Sequence, residues 1–111
     1  MKLSEVARIL SAEIHTSGNL DISIHSYKAS NLLSEILRGP ADHSILLTML
    51  DNIQVIRTAE ITDMRAVILA HHKPSDEMIQ MAANSQIPLL STKYQLNQCC
   101  EILQQHGLYS W

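Results

Sequence analysis

Residues 66–70 read Ala66-Val67-Ile68-Leu69-Ala70, an unbroken apolar run of strand length. A strand with one wet face alternates apolar and polar residues. A run with no polar residue belongs to a sheet covered on both faces. Two further runs have nearly the same character: Ser44-Ile45-Leu46-Leu47-Thr48 and Pro88-Leu89-Leu90-Ser91. Helical patterns follow each of the three. The first begins at Asp51 or Asn52 and carries Ile53, Ile56 and Ala59 to about Asp63. The second has Ser75 as its N-cap, with Asp76 and Glu77 in the first turn, where the helix dipole favours acids. The third opens on Thr92-Lys93-Tyr94-Gln95, a capping-box pattern, and continues through Leu96, Cys99, Cys100 and Leu103. Residues 44–106 therefore read as β-α-β-α-β-α, the signature of a parallel sheet with right-handed crossovers.

Residues 1–43 are less regular. Leu3, Val6, Ala7 and Leu10 recur at helical spacing, with Ser4 as the expected N-cap. Leu32, Leu33, Ile36 and Leu37 give another helix, with Ser30 as cap and Gly39-Pro40 as stop. Ala12 to His15 is a weak strand. Leu20-Asp21-Ile22-Ser23-Ile24-His25 alternates as a half-buried or edge strand does. Thr16-Ser17-Gly18-Asn19 is a polar turn between them. The expected architecture is one compact α/β domain over residues 1–111, a three-layer α/β/α arrangement on a mixed, largely parallel sheet. Residues 107–111 form a tail.

Composition bounds the function. The chain has 111 residues, 46% apolar and 17% charged, which excludes a disordered chain and suits a single domain. Phe is absent and aromatics are 4%, so the core is expected to be aliphatic. The formal charge is −3, the wrong sign for a nucleic-acid backbone binder. No apolar run reaches the ~18 residues of a membrane span. Met1-Lys2-Leu3-Ser4-Glu5 does not open a signal peptide. The expectation is a soluble cytoplasmic protein.

Ligands of open α/β sheets sit at the carboxyl ends of the parallel strands. Three such ends are legible. Thr48-Met49-Leu50-Asp51-Asn52 leads into a helix carrying Gln54, Arg57 and Thr58. His71-His72-Lys73-Pro74-Ser75 follows the second strand. Ser91-Thr92-Lys93 follows the third. Helix N-termini gathered there favour an anion, and Arg57 and Lys93 add charge. The candidate ligand-binding residues are Thr48, Asn52, Gln54, Arg57, Thr58, Ser91, Thr92 and Lys93. The plain alternative is that Asp51, Ser75 and Thr92 only cap helices.

Other chemistry finds little support. Neighbours on a strand face opposite ways, so His71 and His72 do not chelate a metal together, and no metal or other cofactor is expected. Cys99 and Cys100 fall on an apolar stripe with no CxxC spacing and read as small core hydrophobes. Nucleophile-elbow, P-loop and dinucleotide motifs are absent from the sequence, so an enzyme is not expected. Leu108-Tyr109-Ser110-Trp111 is either an aromatic interface anchor or a frayed end.

Several blocks resemble the DRTGG domain. They are Leu46-Leu47-Thr48, Asn52-Ile53-Gln54-Val55-Ile56-Arg57-Thr58-Ala59-Glu60, Ala66-Val67-Ile68, Lys73-Pro74 and Ile87-Pro88-Leu89-Leu90-Ser91-Thr92-Lys93-Tyr94. The opening Lys2-Leu3-Ser4-Glu5-Val6-Ala7 is similar to the start of stand-alone members. The string Asp-Arg-Thr-Gly-Gly that names the family is absent. The resemblance implies a fold similar to the N-terminal domain of HPr kinase/phosphorylase, without catalytic machinery. It also implies a homodimer and a regulatory or ligand-sensing role, since such domains occur beside CBS domains and in some phosphotransacetylases. The expected function is a non-enzymatic module binding a small anionic metabolite or nucleotide. The alternative is a protein–protein interaction or scaffold module with no small-molecule ligand.

Overall fold

The computed structural model describes residues 1–16, 18–38 and 43–110. The element order is α1 (Leu3–Ile9), β1 (Glu13–Ile14), β2 (Ser26–Ala29), α2 (Leu33–Ile36), β3 (Ser44–Thr48), α3 (Ile53–Ile61), β4 (Ala66–Ala70), α4 (Asp76–Asn84), β5 (Leu89–Thr92) and α5 (Leu96–Gln105). The sheet order is β1-β5-β4-β3-β2. β2, β3, β4 and β5 are mutually parallel, and β1 runs antiparallel to β5 at the edge. A mixed, mostly parallel sheet between two helical layers is what the sequence pattern predicts.

The two-residue period of the strands builds two cores. Ile45, Leu47, Ala66, Ile68, Ala70 and Leu90 face α1 and α5, packing with Leu3, Val6, Leu10, Cys99 and Leu103. Leu46, Val67, Leu69 and Leu89 face the other way, packing with Ile36, Val55, Ile56, Met78 and Ala82 of α2, α3 and α4. All five residues of β3 and all five of β4 are buried, as covered strands require. One aromatic does enter the core. Tyr27 is 1% exposed, and its hydroxyl accepts a hydrogen bond from Gln104 Nε2 at 2.7 Å, which satisfies its polar tip. Cys99 is fully buried and Cys100 packs beside it.

Several local expectations are corrected. Residues 20–25 form no sheet strand. Their backbone pairs instead with the start of the chain: Leu3 N donates to Ile22 O at 3.0 Å, Ser4 N to Leu20 O at 2.9 Å and Ile24 N to Met1 O at 2.6 Å. The alternation is real as burial, because Leu20, Ile22 and Ile24 pack on the first core. The sheet strand begins at Ser26. Lys2, not Ser4, is the N-cap position of α1. Ser30 does not cap α2, which starts after Leu32; its hydroxyl closes a local turn by accepting from Leu32 N at 3.1 Å. β5 is shifted by one residue, from Leu89 to Thr92. The expected helix stop at Gly39-Pro40 lies outside the described residues, as do Ser17 of the polar turn and Trp111.

The tail is docked as far as Ser110. Gly107 turns the chain at φ +87°, Leu108 is buried, and Tyr27 N donates to Tyr109 O at 3.2 Å. Ser110 forms a parallel bridge to Tyr27. The tail thus covers part of the free edge of β2, one of the ways edge strands are protected.

Candidate functional site

Because β2 to β5 are parallel, their C-terminal ends at Ala29, Thr48, Ala70 and Thr92 lie on one rim. The rim divides into a part closed by the protein's own side chains and a part left open.

The closed part lies over β3 and β4. Asn31 Oδ1 accepts from Met49 N at 2.7 Å and from Thr48 Oγ1 at 3.3 Å. Thr48 Oγ1 in turn accepts from Leu50 N. Asp51 accepts from Ser75 N through both carboxylate oxygens, at 3.2 and 3.0 Å, and from Ser75 Oγ at 2.9 Å. His72 Nε2 donates to Met49 O at 2.9 Å. The loops after β3 and β4 are therefore tied to each other.

The open part lies between β5 and β1. It is a cleft of about 320 Å³. Ser91, Thr92 and Lys93 form one wall, the loop residues His71, His72 and Lys73 a second, and Ser11 and Glu13 a third. Glu13 stands opposite Ser91 in the antiparallel register. Its Oε2 lies 3.5 Å from Lys73 Nζ and 3.4 Å from His15 Nε2. The Lys73 and Glu13 side chains are 74% and 54% exposed, so their ion pair is weak. Gln95 Nε2 donates to His71 Nδ1 at 3.0 Å, which leaves the proton of the neutral ring on Nε2. Lys93 has no ion-pair partner among the described residues.

The predicted residues distribute unevenly on this geometry. Ser91, Thr92 and Lys93 meet in the cleft. Thr48 is buried and engaged with Asn31. Asn52 accepts from Gln54 N at 2.8 Å and caps α3. Gln54 and Arg57 are exposed on α3, while Thr58 of the same helix is 6% exposed. Thr92 is not the N-cap of α5. Its Oγ1 donates to Leu10 O at 2.6 Å and accepts from Tyr94 N, and the capping box is formed by Gln95 with Gln98. Glu13 and His15 escaped the sequence reading; the weak strand signal at Ala12 to His15 is the only trace of them.

A second cleft of about 300 Å³ lies at the opposite ends of the strands, lined by Glu60, Asp63, Arg65 and Gln86 among others. It sits at the C-termini of α3 and α4 with two acids against one base, which disfavours an anion. Among the described residues no group of three or more His, Cys, Asp or Glu side chains can hold a metal ion. None of the described helices is long and apolar enough to cross a membrane.

No family model and no curated protein matches the chain. Its fold is similar to a solved structure of the CBS and DRTGG domains of the regulatory region of Clostridium perfringens pyrophosphatase, complexed with the activator diadenosine tetraphosphate. The TM-score is 0.76 at 16% identity, over 94% of this chain and 46% of that one. The chain thus spans less than half of that regulatory region and shares its fold over nearly its own whole length.

Proposed function

We propose that this chain is a non-enzymatic regulatory module of DRTGG type that binds a small anionic metabolite or nucleotide. The observation that carries the reading is the cleft between β5 and β1, lined by Lys73 and Lys93 at the carboxyl ends of parallel strands. Asn52 and Gln54 open α3 at the same end of the sheet, and Arg57 follows about one turn further along that helix. The site lies where this topology receives ligands, and its lysines act as point charges for an anion. The solved neighbour was complexed with a nucleotide activator, which agrees with the ligand class. The module acts in the cytoplasm as a homodimer, and the ligand works by shifting the dimer or partner interface.

The test is a thermal-shift titration of the protein with phosphates, carboxylates and nucleotides. A ligand present at one hundred times its dissociation constant stabilises the fold by about 2.7 kcal/mol. Lack of any rise in melting temperature across the panel at millimolar concentration refutes the reading.

The second reading, an interaction module without a small ligand, is favoured by the exposed Leu32, Leu37 and Ile61, which are 60%, 51% and 75% exposed on and beside α2 and α3. Large apolar side chains held in water fit a homodimer or a protein partner. The thermal-shift panel separates the two readings, since this one expects no stabilisation by any small molecule. Light scattering on the wild type and on Ile61→Lys tests the face itself, where the added charge is expected to break an interface.

A further inference from the structure

Resting on the reading of the β5–β1 cleft as an anion site, we propose that its ligand is a phosphorylated polyol and that Glu13 is the residue that selects it. A site for a bare anion has no use for a carboxylate in its wall, because like charges repel. Here a carboxylate stands in the wall, opposite Ser91 by strand register. Only one of its oxygens is occupied. Oε2 meets both Lys73 and His15, while Oε1 has no partner among the described residues. An ionised carboxylate accepts and never donates. Its natural complement on a ligand is a hydroxyl, which the open Oε1 can accept; acidic side chains take ribose hydroxyls in this way in dinucleotide-binding sheets.

The cations complete the pattern. Lys93 is unpaired among the described residues, and Lys73 is held only by the exposed and readily displaced contact to Glu13. The cleft therefore presents donor-only cations and an acceptor-only carboxylate within one volume of about 320 Å³. That volume is at the lower end for small-molecule sites and fits one phosphorylated sugar unit. The matching ligand carries a phosphoryl group at one end and free hydroxyls at the other. A sugar phosphate and a ribonucleotide share this chemistry. For a ribonucleotide, the wall offered to the base is His71 and His72, which line the same cleft and whose rings meet edge to face at 6.4 Å.

The experiment is calorimetric titration of the full chain with inorganic phosphate, ribose 5-phosphate, adenosine 5′-monophosphate and its 2′-deoxy analogue. Wild type is expected to bind ribose 5-phosphate at least about tenfold more tightly than inorganic phosphate, the scale of a hydrogen bond to a charged group. Glu13→Gln keeps an acceptor oxygen but loses the charge, so it is expected to shrink that gap severalfold while inorganic phosphate binds as well or about twofold better. Gln is isosteric with Glu and the side chain is half-exposed, so the fold is retained; a thermal melt verifies this. Equal wild-type affinity for the two phosphates overturns the proposal and leaves the anion site standing, as does a gap left unchanged by Glu13→Gln. Phosphate binding that is absent, or unaffected by the double variant Lys73→Met/Lys93→Met, overturns both. Adenosine monophosphate binding better than ribose 5-phosphate, with the deoxy analogue weaker, identifies the ribonucleotide; the reverse order identifies the sugar phosphate.

Discussion

Ser91 Oγ lies 2.6 Å from His15 Nε2, joining the C-terminal end of β5 to the residue just beyond the edge strand β1. A serine, a histidine and the nearby Glu13 suggest nucleophilic catalysis. The geometry argues against it. Glu13 Oε2 approaches the same Nε2, at 3.4 Å, that meets Ser91. In a catalytic triad the acid binds the other ring nitrogen and fixes the tautomer that accepts the serine proton. Here one nitrogen serves both neighbours, so the contact is a structural tie across a short seam. β1 has only two residues, and its hold on β5 needs such side-chain support.

Ser91→Ala is therefore expected to destabilise the fold by about 1 kcal/mol, the net value of a partly buried hydrogen bond. In a domain near this size, each kcal/mol lowers the melting temperature by roughly 4–8 °C. Calorimetry measures the loss. A fluorophosphonate probe followed by mass spectrometry is expected to leave Ser91 unlabelled, and labelling there would restore the catalytic reading.

The Asp51–Ser75 clasp gives a second prediction. Asp51 receives both the backbone N–H and the hydroxyl of Ser75, while Ser75 Oγ caps α4 by accepting from Met78 N at 3.3 Å. Asp51→Ala removes the clasp and spares the cap. Ser75→Ala removes the hydroxyl half of the clasp and the cap together. A lost serine cap costs about 1 kcal/mol, so Ser75→Ala is expected to be the more damaging. The double variant is expected to cost less than the sum, because the two residues share a bond. Urea unfolding of the four proteins completes the cycle, and amide exchange at Ser75 should quicken in Asp51→Ala.

The sequence was most legible where burial is complete. Ser44–Thr48 and Ala66–Ala70 stand out because both faces of each strand are covered, so composition alone marks them. Ser75 was legible as a cap because its hydroxyl accepts from an amide three residues ahead, whereas α3 is capped by Asn52 and not by Asp51, whose carboxylate is taken by Ser75 across the rim. Thr92 misled because its hydroxyl is taken by Leu10 O, 82 residues away in sequence. β2 was hidden by its composition: Ser26-Tyr27-Lys28-Ala29 is a poor strand signal, and its place depends on pairing with β3. The cleft divides in the same way. Ser91, Thr92 and Lys93 follow from a general rule about strand ends. Glu13 joins them only through antiparallel pairing of a two-residue strand with β5, a non-local relation that no periodicity records.

The last prediction concerns alkaline pH. Burial pushes the Cys99 thiol up from 9.0 to about 11, and neighbouring Cys100 adds to the rise. A raised pKa means that the folded state holds the proton more tightly than the unfolded chain does. The resulting stability is fully present below pH 9, where the thiol is protonated in both states. Between pH 9 and about 11 the unfolded chain ionises first and is favoured. Wild type is expected to lose on the order of 2 kcal/mol across that window from this group. Burial also raises Cys100 and Tyr27, so part of the alkaline loss is theirs. The difference between wild type and Cys99→Ala isolates the Cys99 share: the variant starts less stable, because a buried side chain is trimmed, and falls more gently with pH. Urea unfolding at half-unit steps from pH 8 to 11 measures both slopes. Parallel slopes would refute the assignment, as would rapid alkylation of Cys99 by iodoacetamide in the folded protein at pH 8, where so few thiolates should exist.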